Sequence, residues 1–65
     1  MQSERVYDGD DRGYLTFFTG EHPYIGGLDD DEIVVDFHDD TDGSTVTYWF
    51  KKEELWQTLS SVLQD

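Results

Sequence analysis

The sequence predicts an α+β fold: a small twisted antiparallel sheet of about four strands with one C-terminal amphipathic helix packed on one face. Three observations predict it. Two runs rich in β-branched and aromatic residues flank an Asp-Gly turn in the middle of the chain. After Phe50 the apolar period lengthens from two residues to the roughly 3.6 of a helix. Near the N-terminus, two shorter apolar runs bracket a segment of Gly and Asp.

In chain order, Val6-Tyr7 and residues 14–19 read as two strands around the turn-rich residues 8–13. Their register is ambiguous, because apolar residues occupy both faces of the second run. Residues 20–31 hold three Gly, one Pro and an Asp run, and read as a loop that is long for so small a domain. Residues 32–38 and 45–50 form the clearest element, a hairpin. A two-residue loop would pair Thr41 with Ser44, and a four-residue loop of residues 40–43 would shift the pairing by two. Either register gives the same faces. One carries Ile33, Val35, Phe37, Val46, Tyr48 and Phe50 and reads as the core; the other, with Val34, Asp36, His38, Thr45, Thr47 and Trp49, is mixed. Beyond it, Leu55, Trp56, Leu59, Val62 and Leu63 fall within an arc of roughly 120°, the stripe of an amphipathic helix expected to lie across the core face. Glu53 and Glu54 sit at its N-terminal end, where the helix dipole favours them.

Length allows one domain, residues 1–65. The core is marginal at this size, and with no Cys there is no disulfide or thiolate metal site to reinforce it. Hydrophobic content of 35%, with ten aromatic residues, still argues for a folded chain. A marginal core and surplus aromatics together point to a homodimer as one way to bury them. The start, Met1-Gln2-Ser3-Glu4-Arg5, has no apolar stretch behind it, and no segment approaches the ~18 apolar residues of a membrane span. A cytoplasmic location and no membrane partner are therefore expected.

Sixteen Asp and Glu stand against four Lys and Arg, a net charge of −12. Such a surface repels nucleic acid and anionic lipid and attracts basic grooves. Metal and catalytic readings are weak beside this. The run Asp8-Gly9-Asp10-Asp11-Arg12-Gly13 begins like a calcium loop, but Arg12 takes its fifth position and Thr19 its twelfth, where a carboxylate is needed. No metal or other cofactor is expected. His22 and His38 are the only imidazoles, and neither lies in a nucleophile motif. Asp36 and His38, two apart on one strand face, would be a contact pair before an acid–base pair. The chain therefore reads as non-enzymatic.

The carboxylates fall into three groups: Asp8, Asp10 and Asp11; Asp29, Asp30, Asp31 and Glu32; Asp36, Asp39, Asp40 and Asp42. Residues two apart on a strand are ~6.5 Å apart on one face, so such rows present charge somewhat as a phosphate backbone does. The expected partner is a protein with a basic nucleic-acid-binding surface, such as a defence nuclease or repair enzyme. Tyr24, Ile25 and Trp49 would supply apolar anchors beside the charge. The chain shares its size and charge with small acidic phage-encoded inhibitors of such enzymes, a likeness of composition alone. The alternative is a halophile-type surface, since eleven Asp, five Glu and only two Lys also suit solubility in brine.

Overall fold

Turn chemistry and strand pairing together arrange residues 2–64, the part of the chain that the computed structural model describes. Strands β1 (Gln2–Tyr7), β2 (Gly13–Thr19), β5 (Glu32–Asp39) and β6 (Ser44–Lys51) form an antiparallel sheet in the order β1-β2-β5-β6. Between β2 and β5, β3 (Glu21–His22) and β4 (Gly26–Gly27) pair as a small separate ladder. Helix α1 (Lys52–Leu63) closes the chain. This is the α+β arrangement the pattern predicts.

Strand β1 begins earlier than Val6. Its polar residues Ser3 and Glu4 pair with Phe18 and Phe17, and every residue of the strand is exposed. An edge strand needs pairing on one side only, so polar residues are tolerated there and charged ones guard the open edge. In the β5–β6 hairpin the register is the four-residue alternative, with Asp39 opposite Ser44, Phe37 opposite Val46 and Val35 opposite Tyr48. The turn closes because Asp39 Oδ1 accepts from both the N–H and the hydroxyl of Thr41. Gly43 supplies the left-handed step at φ 74° and donates its N–H to the Asp39 carbonyl at 2.8 Å.

Alternation divides the sheet into two faces. The front face carries Val6, Leu15, Phe17, Ile33, Val35, Phe37, Val46, Tyr48 and Phe50; the back face carries Tyr14, Thr16, Phe18, Val34, Asp36, His38, Thr47 and Trp49. The buried apolar residues among those described are Val34 on the back and Val35 on the front, adjacent at the centre of the sheet. The front face was expected to be the core, yet it is the more open of the two. Phe37, Val46, Tyr48 and Phe50 remain 37–49% exposed. The cause is the β6–α1 junction. Lys51 ends β6 and also caps α1, so no linker residues remain to carry the helix back over the sheet. The helix meets the sheet chiefly at β6, an edge strand, and buries none of its described residues completely. The back face is instead covered in part by the β3–β4 flap, which inserts His22. Among the described residues no helix is long and apolar enough to cross a membrane.

One backbone contact fixes the β2–β5 pairing. A Cβ added at Gly13 would collide with the carbonyl oxygen of His38, which belongs to the neighbouring strand and cannot swing aside. Gly13→Ala is expected to destabilise the domain by about 2 kcal/mol, the range of an overpacked site. A urea melt reads this directly, and an unchanged midpoint would refute the close approach.

Candidate functional site

The first and third acidic groups meet. The β1–β2 turn and the β5–β6 turn lie at the same end of the sheet, because Gly13 pairs with Asp39 and the Asp40 N–H donates to the Arg12 carbonyl at 2.8 Å. Asp8, Asp10, Asp11, Asp39, Asp40 and Asp42 thus form one exposed acidic end. Three of these carboxylates also build the turns that carry them. Asp8 Oδ2 accepts from the N–H groups of Asp10 and Arg12, Asp39 Oδ1 from Thr41, and Asp42 Oδ1 from the Ser44 N–H at 2.9 Å. The Ser44 hydroxyl, followed by its backbone N–H, holds the Asp42 carboxyl below its usual value of 3.8. Such short-range acceptors are why Asp and not Glu occupies these positions.

A chain of side-chain contacts runs into this end from the sheet. On the back face the Arg5 guanidinium lies 4.0 Å over the Tyr14 ring, and Tyr14 stacks on His38 at 4.8 Å. His38 in turn contacts Asp40 at 2.9 Å and Thr45 at 2.9 Å. Asp10 and Asp11 make no side-chain hydrogen bond among the described residues.

The second acidic group, Asp29, Asp30, Asp31 and Glu32, sits at the opposite end, where β5 begins. A strand of this length separates the two ends by roughly 23 Å. Carboxylate oxygens of Asp29, Asp31 and Glu32 come within 4.8 Å of one another. Glu32 accepts from the Asp29 N–H at 2.8 Å, and Lys51 bonds Asp31 at 3.1 Å. This group is therefore balanced in part by a base, which the sequence reading did not foresee. The Lys51 hydrogen bond holds the Asp31 carboxyl below 3.8. Its small contribution is present above that value and is lost as pH falls through the lowered one. The Asp31 carbonyl also accepts the Lys52 N–H at 2.8 Å, so the same residue ties down the start of α1.

Asp36 departs from its group. It does not pair with His38 and is not part of an exposed acidic row. Its two carboxylate oxygens each lie 3.1 Å from His22 Nε2, and Oδ1 also accepts the Thr47 hydroxyl at 2.8 Å. The other imidazole nitrogen, Nδ1, faces the N–H groups of Tyr24 and Ile25 at 3.1 and 3.3 Å. Both of those donate, so the pattern assigns the ring proton to Nε2, which donates to Asp36. The ring is 1% exposed and stands edge-on to Phe18 at 4.7 Å. A His–Asp couple can serve a nucleophile, but here the nitrogen that would act as base is capped by backbone and closed to solvent. The arrangement is a clamp that fastens the β3–β4 flap to the back of the sheet.

The three expected anchors lie on that same side. Tyr24 and Ile25 occupy the turn of the flap, with Tyr24 93% exposed, and Trp49 stands on the back of β6 at 55% exposure. The clamp holds the backbone of Tyr24 and Ile25 while leaving the Tyr24 side chain outside. The sequence reading missed His22 as the residue that positions them. In comparisons with known proteins, the chain matches no family model, no curated protein and no solved structure.

Proposed function

We propose that this chain is a non-enzymatic acidic binding protein that occupies the nucleic-acid-binding surface of a basic protein, in the manner of an inhibitor carried by a phage or mobile element. The observation that carries this reading is the meeting of two Asp turns in one six-carboxylate end, with Tyr24 exposed on the flap and Trp49 exposed on the back of the sheet, opposite Val34 and nearer the second acidic group. Fixed turns hold the charges in place before any partner arrives, so little ordering accompanies association. The charges steer encounter, and the aromatic side chains resist dissociation. The local hydrogen bonds of Asp8, Asp39 and Asp42 give three of the eleven Asp a turn-building role that needs no appeal to brine. A defence nuclease or repair enzyme of the host cytoplasm has the required basic surface.

The test is capture from a bacterial lysate on the immobilised chain at low salt, followed by elution with short duplex DNA or RNA. Nucleic-acid-binding proteins should leave the resin with the competitor. Retention of every captured protein under excess nucleic acid would contradict the proposal.

A further inference from the structure

The front face remains without a cover, and the chain exposes more surface than a compact monomer of its mass. The accessible surface of the chain is 5095 Å². A compact monomer of 7.6 kDa exposes about 4,300 Å² by the scaling of folded monomers. The excess over the whole chain, about 800 Å², is large enough to include one partner's share of a standard-size interface. The shape agrees: Cα extents of 35 × 32 × 16 Å describe a slab, one sheet thick over much of its area. A stable domain needs two packed layers, and here the helix covers too little to be the second.

We propose that the front face is a homodimer interface, in which a second copy of this chain lays its own front face against the first and closes a two-sheet sandwich. The chemistry of the face selects that occupant. Among sixteen carboxylates, those on the front of the strands stand only at its borders, Glu4 on the edge strand β1 and Asp39 at the turn. Between them lie Val6, Leu15, Phe37, Val46, Tyr48 and Phe50, with Phe37 edge-on to Tyr48 at 5.4 Å. A basic partner finds no charge there to pair with. A second copy brings a face equally apolar and neutral, and two sheets stack about 10 Å apart with their inner side chains interdigitated. An isologous contact of this kind also closes, because each copy's front face is used up in the pair. The chain has no Cys and a small core, and oligomerisation is the remaining common route to stability at this size. The acidic ends, Tyr24 and Trp49 stay outside the sandwich, so this inference stands or falls separately from the proposed partner.

Salt gives the dimer a signature. Two chains of charge −12 repel one another, so screening should strengthen their association, whereas it weakens binding to a basic protein. Sedimentation equilibrium of the full chain at tens of micromolar should return twice the 7.6 kDa mass, with tighter association in molar salt. Val46→Asp, at a half-exposed front position, should stay folded and weaken dimerisation by about 100-fold, the effect of a charge at an interface centre. Trp49→Asp, on the back, should leave the dimer intact. Should Val46→Asp fail to fold, Tyr48→Lys replaces it under the same criterion, since its aliphatic stem keeps apolar cover. A wild-type monomer at every concentration and salt, leaving the face to a different protein, overturns the inference. So does a folded front-face variant that dimerises normally.

Discussion

Replacing His22 with Ala is expected to lower the unfolding free energy by about 3 kcal/mol, a large share of the 5–15 kcal/mol typical of a domain. The imidazole makes contacts of three kinds. It donates to a carboxylate, accepts from two backbone N–H groups, and fills space against Phe18 beside the buried Val34. Loss of a hydrogen bond to a charged group is worth about 1.5–3 kcal/mol, and the cavity left by a ring adds to it. The substitution also leaves Asp36 part-buried with only the Thr47 hydroxyl to satisfy it. The flap should then detach from the sheet, so proteolysis within residues 20–31 should quicken along with the drop in the urea midpoint. Asp36→Asn should cost less, because the amide oxygen still accepts from both Nε2 and Thr47. A His22→Ala melt within about 0.5 kcal/mol of wild type, the scatter of ordinary surface changes, would show that the clamp holds nothing.

Converting Asp8, Asp10, Asp11, Asp39, Asp40 and Asp42 together to Asn should weaken the partner complex by about 100-fold while leaving the fold intact. The turns survive because an amide oxygen accepts the same backbone N–H groups that the carboxylates accept now. Asp11, at φ 56°, gains, since Asn enters the left-handed region readily. Half of the net charge of −12 disappears. At about 0.5 kcal/mol for each rim charge, six such losses amount to roughly two decades in affinity. Relief of self-repulsion should leave thermal stability equal or higher. The second acidic group is expected to matter less, because Lys51 already answers Asp31. Affinity isotherms on the captured partner decide the matter, and an unchanged constant for the sextuple variant would remove the acidic end from the interface.

What the sequence shows of this molecule follows the range of the forces involved. Alternation in residues 32–38 and 45–50 sorts the side chains to the correct faces, and the helical period after Phe50 places α1, because both patterns are local. Alternation cannot say which face becomes covered. That depends on the absence of a linker between Lys51 and Lys52, which leaves the helix in contact chiefly with the edge strand β6. The polar residues of β1 carry no strand signal, since their pairing with β2 overrides a weak local preference. Asp36 and His38 are natural partners by spacing. Yet His38 turns to Asp40 and Thr45, while His22 reaches Asp36 from 14 residues away. Asp36 itself is the available clue: a carboxylate set between Val35 and Phe37 in an apolar strand, with no Lys or Arg opposite it, finds its donor elsewhere. The three acidic groups were legible as charge. Their merger at one end was not, because it follows from the β2–β5 pairing across a long loop.

The claim that the negative end engages a positive macromolecule in place of nucleic acid is tested most directly on the complex with the captured partner. Its dissociation constant is measured across a salt series, with and without a short competing duplex or single strand. Affinity should fall by roughly tenfold or more between low and physiological salt, and the competitor should displace the chain from a single shared site. An affinity indifferent to salt, with the nucleic acid bound alongside the chain in a ternary complex, would contradict the claim.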